Sequence, residues 1–237
     1  MRPLIAGNWK MHGDMSWVDK SAEFAAIMPA SEREHLDVLI CPPSLFIAPM
    51  AAGCKDANIH LGAQNCHRAE SGAHTGEVSA EMVKSAGASF VIVGHSERRA
   101  SGEADEDVAT KAIAAAKQGV TPIICVGESL DTRKDGHAES VVSDQIKASV
   151  PEGITDYVLA YEPIWAIGTG MTATADDIKS MHAVIRGIVG PKVRILYGGS
   201  VKPANAAEIL GTENVNGALI GGASLEMESL AAIARAA

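Results

Sequence analysis

Cysteine is scarce and unpatterned: Cys41, Cys54, Cys66 and Cys125 form no Cys-x-x-Cys pair and none of the spacings of a zinc site. Reduced thiols in a core are the expected state. Basic residues are in the minority, 20 Lys and Arg against 29 Asp and Glu, for a net charge of −9. That balance argues against nucleic acid and anionic membrane surfaces as partners. It also means that an anionic substrate has to be drawn in by local groups, because the global field repels it. No apolar run approaches membrane-spanning length. The first residues run straight into Leu4-Ile5-Ala6-Gly7-Asn8 with no charged-then-apolar leader, so a soluble cytoplasmic protein is expected. No Gly-x-Gly-x-x-Gly follows the first strand-like run, which removes the usual mark of a dinucleotide-binding sheet.

What is present is an ordinary globular composition, 47% apolar and 21% charged, in a length that can bury a sizeable core. Strand-like runs are expected over residues 2–10, 37–41, 59–64, 90–94, 121–126, from 157, 192–197 and 217–220. Helical patterns follow each of them. Ser16 with Asp19, Ser44, Ser79 and Thr174 are the expected caps of four of these helices, and residues 203–210 form another. Such strict alternation implies parallel strands joined by right-handed crossovers. Eight units without a linker predict an α/β fold: one closed (β/α)8 barrel over residues 1–237, a single domain.

In such a barrel the residues after each strand meet at one rim. Asn8 and Lys10, His95, Glu162, Ser200, Gly221 and Gly222 all occupy that position. Glu162 ends a strand just before Pro163, which has no N–H for the ladder. The small, glycine-rich run Ala166-Ile167-Gly168-Thr169-Gly170 follows, with Ile164, Trp165 and Ile167 as an apolar tip. A carboxylate beside such a loop reads as a base under a lid. Elsewhere a strand-terminal glutamate is usually a solvated loop residue, and a strand-end lysine a solvated charge. At the inner rim, Lys10 would be a fixed cation that attracts an anion. His95 precedes a helical turn whose N-terminus disfavours the imidazolium, which suits a neutral donor. Gly198-Gly199-Ser200 and Gly221-Gly222-Ala223-Ser224 end the last two strands. Paired glycine turns there fit a phosphate site built from backbone N–H groups.

The motifs Gly7-Asn8-Trp9-Lys10-Met11, Gly94-His95-Ser96-Glu97-Arg98-Arg99, Cys125-Val126-Gly127-Glu128, the run from Tyr161 to Gly170 and the two glycine turns occur in this order. With them stand Ala63-Gln64-Asn65-Cys66 and the stretch from Gly72 to Ser79. From end to end the chain resembles the triosephosphate isomerase family, whose fold is the TIM barrel and whose base, neutral histidine and closing loop are well known. The resemblance implies aldose–ketose isomerisation of a triose phosphate through an enediolate. Glu162 would be the base, with Lys10 and His95 as the electrophiles. Asn8, Ser96 and Glu97 would support them, and backbone amides of Gly168, Ser200, Gly221 and Gly222 would hold the phosphate. It implies no metal and no organic cofactor. It also implies a homodimer in which Thr75, at the tip of loop 65–78, reaches towards the partner's site.

Four features depart from the family pattern. Met171 replaces a usual lysine at the second hinge of the loop. The chain between 181 and 197 is shortened. Ala100-Ser101 stands where relatives have a longer segment with an aromatic, and His74 replaces an aromatic. Other phosphate-gripping barrels, of aldolase or epimerase type, would need a Schiff-base lysine in a central strand or a His/Asp metal set. A non-catalytic barrel would be expected to have lost Lys10, His95 or Glu162.

Overall fold

The computed structural model describes residues 1–168 and 171–237. Its strands are β1 (Leu4–Asn8), β2 (Asp37–Cys41), β3 (His60–Ala63), β4 (Phe90–Val93), β5 (Thr121–Val126), β6 (Val158–Tyr161), β7 (Arg194–Tyr197) and β8 (Gly217–Ile220). All neighbours are parallel and the sheet closes β1-β2-β3-β4-β5-β6-β7-β8, with β8 returning to β1 through Leu4↔Gly217 and Gly7↔Ile220. This is a (β/α)8 TIM barrel.

The helices are α1 (Lys20–Ile27), α2 (Ser44–Asp56), α3 (Ala80–Ser85), α4 (Ser96–Ala100), α5 (Asp105–Lys117), α6 (Leu130–Lys134), α7 (Ala138–Ser149), α8 (Ala175–Val189), α9 (Ala206–Leu210) and α10 (Met227–Ala234). They cover the outside of the barrel, so each strand is buried on both faces.

Two cores follow from the period of two along each strand. Leu4 and Ala6 of β1, Phe90 and Ile92 of β4, Ile123 and Cys125 of β5, and Val158 and Ala160 of β6 point inward and fill the barrel. The residues between them, such as Ile5, Val91, Ile124 and Leu159, face the helices. Each Val, Leu, Ile or Phe side chain so buried contributes about 1.5–3 kcal/mol. On β3 the barrel admits only Gly62, since a Cβ there would lie 2.7 Å from Cys41 Sγ. At the rim opposite the glycine turns, Asp37 binds Arg2 at 3.0 Å and Arg194 at 2.7 Å, which links the segment leading into β1 with β2 and β7.

Local expectations fared unevenly. Ser79 and Thr174 cap α3 and α8, and Thr174 forms a capping box with Asp177. Ser16 does not open a helix. Asp14 caps a short 3-10 turn, accepting from Ser16 N–H at 2.8 Å, and α1 begins only at Lys20. The Ser16 hydroxyl itself donates to Asp14 Oδ1 at 2.5 Å, so it is turned back towards the preceding residues instead of capping the turn that follows. Ser44 is the first residue of α2, behind Pro43 in the cap position, so its hydroxyl caps nothing. The strand expected over 59–64 is shorter, and α9 starts three residues late. There the Asn205 side chain accepts from Lys202 N–H at 2.7 Å and turns the chain first.

Candidate active site

One cavity of about 510 Å³ opens at the carboxyl ends of the strands. Asn8, Lys10, His95, Glu162, Gly168, Ser200, Gly221 and Gly222 all line it. Residues from β1, β4, β6, β7 and β8, far apart in sequence, thus share one space.

Lys10 follows β1 with a left-handed backbone, φ +53°, a conformation that costs a non-glycine residue roughly 1–3 kcal/mol. Side chains fasten it on both sides: its N–H donates to Asn8 Oδ1 at 3.0 Å, and Gln64 Nε2 donates to its carbonyl at 2.8 Å. Lys10 Nζ donates to Glu97 Oε1 at 2.6 Å. Burial alone would raise the Glu97 carboxyl, but Lys10 outweighs it and holds that carboxyl below the usual range. The cation foreseen in the sequence is therefore partly neutralised, and its charge is shared with Glu97.

Glu162 continues the ladder past β6, donating its N–H to the Val126 carbonyl at 2.8 Å. Two glycines make room for it. A Cβ on Gly127 would lie 1.7 Å from the Glu162 carbonyl oxygen, and one on Gly198 would lie 2.8 Å from its Cγ. The carboxylate is 1% exposed as a residue and has both oxygens engaged. Oε1 is 3.0 Å from His95 Nε2, and Oε2 accepts from Ser96 N–H at 2.8 Å.

His95 is the N-cap of α4, and its Nδ1 accepts from Glu97 N–H at 3.2 Å. A ring nitrogen that accepts carries no proton, so the neutral ring fits this geometry with its hydrogen on Nε2, towards Glu162. Burial pushes the imidazolium down. Glu162, then Glu97, push it up more strongly, so in this arrangement the pKa lies above its ordinary value. The helix terminus is thus only one of the influences on this ring, and the Glu162 carboxylate opposes it.

The segment after Glu162 is tied from beneath. Glu128, 1% exposed, accepts at one oxygen from Tyr161 Oη (3.1 Å), Trp165 Nε1 (2.9 Å) and Arg133 Nη1 (3.1 Å). Arg133 also donates to Asp177 Oδ1 at 2.5 Å, in the capping box of α8. Both ends of the loop therefore reach the same guanidinium. Of the apolar tip, Ile167 lines the cavity and Ile164 is exposed. Thr169 and Gly170, part of the expected lid, lie outside the described residues.

Ser96 and Glu97 join the cluster through Glu162 and Lys10. Thr75 does not line the cavity; it is exposed on loop 65–78, where the rings of His67 and His74 stack at 4.0 Å. Gly198 and Gly199 of the first glycine turn line the cavity too, and Lys202 does so unforeseen as a site residue. Glu128 was visible only as part of a motif. Its role as a shared acceptor has no local signature, because its partners lie on β6, α6 and the loop.

The chain matches the family model described as triosephosphate isomerase over residues 3–237. It is similar to the triosephosphate isomerase of Granulibacter bethesdensis, with 51% identity over 100% of this chain and 99% of that protein. Against that of Afipia carboxidovorans the identity is also 51%, over 100% of this chain and 98% of the relative. A crystal structure of triosephosphate isomerase from Bartonella henselae superimposes with a TM-score of 0.91 at 42% identity, covering 100% of this chain and 99% of that one. With the same barrel and full-length likeness at this level, the chain belongs to the triosephosphate isomerase family.

Proposed function

We propose that residues 1–237 act as one catalytic domain that interconverts dihydroxyacetone phosphate and D-glyceraldehyde 3-phosphate by proton transfer through an enediolate. The observation that carries this reading is the shared cavity of an amine, an imidazole and a buried carboxylate beside two glycine turns.

The C–H next to a carbonyl is a weak acid, so a base alone is not enough. Glu162 removes the proton from one carbon and returns it to the next. For this, one of its oxygens has to leave His95 or Ser96, which now hold it. Lys10 Nζ and the Nε2–H of His95 donate to the carbonyl oxygen as it gains charge. A donor aimed at a developing oxyanion is worth roughly 3–4 kcal/mol, and general-base action adds about 10²–10⁴-fold. Glu97 orients Lys10 and supplies the amide that holds the His95 ring. The backbone N–H groups of Gly168, Ser200, Gly221 and Gly222 take the phosphate without needing a side-chain charge. An open site would let the enediolate expel its phosphate, so the loop bearing Ile167 and Gly168 closes over it and keeps water out. The reaction serves glycolysis and gluconeogenesis alike and uses no cofactor.

The chain works as a homodimer in the cytoplasm. Met11 at 94%, Leu45 at 80% and Met82 at 56% exposure give apolar surface that a partner would cover. Met11 shares a groove with Ser44 and with Gly76 and Glu77 of loop 65–78, the loop that carries Thr75. The four thiols are unpaired and buried, which suits a reducing compartment. Sedimentation at micromolar concentration tests the dimer, and a monomer alone would contradict it. For the reaction, wild-type protein with glyceraldehyde 3-phosphate in a coupled assay for dihydroxyacetone phosphate is expected to turn over; absence of turnover by folded protein refutes the reading.

A further inference from the structure

Gly94, the residue before His95, is gripped on every side. Its φ of +70° suits glycine, and a Cβ there would lie 2.9 Å from Val108 Cγ1 and 3.0 Å from Arg99 Nη2. Its N–H donates to Glu103 Oε2 at 3.0 Å, and its carbonyl accepts from Arg99 Nε at 2.8 Å. The same guanidinium donates from Nη2 to the Cys125 carbonyl at 3.0 Å. The pairing of β4 with β5 ends at Val93↔Ile124. Just beyond that last pair, the two carbonyls turn to one arginine.

Arg99 is anchored in its turn. Nη1 binds Asp105 Oδ1 at 2.5 Å and Nη2 donates to Ser149 Oγ at 3.0 Å, while Ser149 Oγ donates to Asp105 at 2.9 Å. The side chain is 14% exposed and does not line the cavity.

We propose that Arg99 is a positioning residue: by bridging the Gly94 and Cys125 carbonyls it fixes the His95 imidazole relative to Glu162. This rests on the function proposed above. The planar guanidinium can serve both carbonyls and both anchors at once, whereas an ammonium has one point of charge and three donors around it. Among the described residues the His95 ring is held by hydrogen-bond-length contacts to the Glu97 N–H and to Glu162, so the peptide that carries it needs a rigid support. A shift of about 1 Å in a catalytic group can cost on the order of 10²-fold in rate.

The test is Arg99→Lys, compared with wild type in kcat, KM, inhibition by inorganic phosphate and the ¹⁵N signals of the His95 ring. We expect kcat to fall on the order of tenfold with KM within about twofold, because the reacting groups are displaced and the phosphate cradle is not. Phosphate inhibition should be unchanged and the His95 signals shifted. A lower melting temperature with wild-type kcat per folded molecule and unshifted His95 signals overturns the proposal. Should the lysine variant not fold, Asp105→Asn keeps Arg99 but frees its anchor and is read by the same measurements; wild-type kcat and His95 signals there also overturn it. If the wild type itself does not turn over glyceraldehyde 3-phosphate, the proposed function falls and this inference with it. Full kcat in Arg99→Lys beside an active wild type removes the inference alone.

Discussion

Oε1 of Glu162 lies 3.0 Å from Nε2 of His95, so the proposed base and one proposed electrophile hold each other. Each is therefore fixed by the other until a carbonyl and its neighbouring C–H displace the contact. The carboxylate also raises the His95 pKa, so removing it has a definite sign. Glu162→Gln should lower the pKa of the His95 ring, which a ¹⁵N titration reads directly. An unchanged or raised value would show that the carboxylate does not govern this ring.

In the proposed mechanism Lys10 serves attraction and polarisation together, and Glu97 is its partner at 2.6 Å. Lys10→Ala should therefore raise KM and lower kcat, each on the order of tenfold or more, since a hydrogen bond to a charged group is worth about 1.5–3 kcal/mol. Steady-state kinetics with both constants unchanged would rule out the local cation.

Gly222 is a different case, because a Cβ there meets nothing within 4 Å and its φ is not left-handed. Gly222→Ala should fold with stability within about 0.5 kcal/mol of wild type. The methyl group would stand beside the cavity where the backbone approaches the anion. KM should rise roughly tenfold or more, by loss of a charged hydrogen bond. Unchanged KM and phosphate inhibition would place the anion elsewhere.

Much of this was legible in the residue order, and the pattern of success has a physical reason. The barrel follows from eight alternations, each a local pattern, and Thr174 caps a helix that starts at the next residue. Asp14 displaced Ser16 as a cap because the N–H and the hydroxyl of Ser16 both turn back to its carboxylate, which the Ser-x-x-Asp spacing does not reveal. Lys10 and Glu97 are 87 residues apart, and nothing local links them. The Glu128 cluster and the Arg99 bridge likewise join distant strands through single side chains. Strand ends locate a site, while the bonds that tune it form only once the barrel has closed. The residue roles themselves were read chiefly through the family resemblance.

His182 makes stability depend on pH. It is fully buried between the rings of Tyr161 and Tyr197; Nδ1 donates to the Asn214 carbonyl at 3.2 Å, and Nε2 has no partner among the described residues. Burial holds its pKa down to about 4, against an ordinary 6.5. The unfolded chain takes the proton first as pH falls, so the contribution is complete above the ordinary value and is lost between there and the folded one. The loss amounts to roughly 3 kcal/mol. Urea unfolding at pH 7.5 and 4 should show a smaller drop in His182→Gln than in wild type. Parallel profiles would contradict this.

Glu128→Ala should leave Arg133, the Trp165 N–H and the Tyr161 hydroxyl without their shared acceptor. Stability should fall by about 2–4 kcal/mol, since buried donors lose their partner. KM should rise as the loop loses its tether, and Trp165 emission should shift. Unchanged emission with unchanged KM would mean that Glu128 does not tether the loop.

The central claim is that one carboxylate, held at the end of β6, moves the proton. Glu162→Asp keeps the charge and withdraws it by about 1 Å, which should lower kcat on the order of 10²-fold while the far-ultraviolet spectrum and melting temperature stay close to wild type. Turnover of glyceraldehyde 3-phosphate by that variant at the wild-type rate would contradict the account.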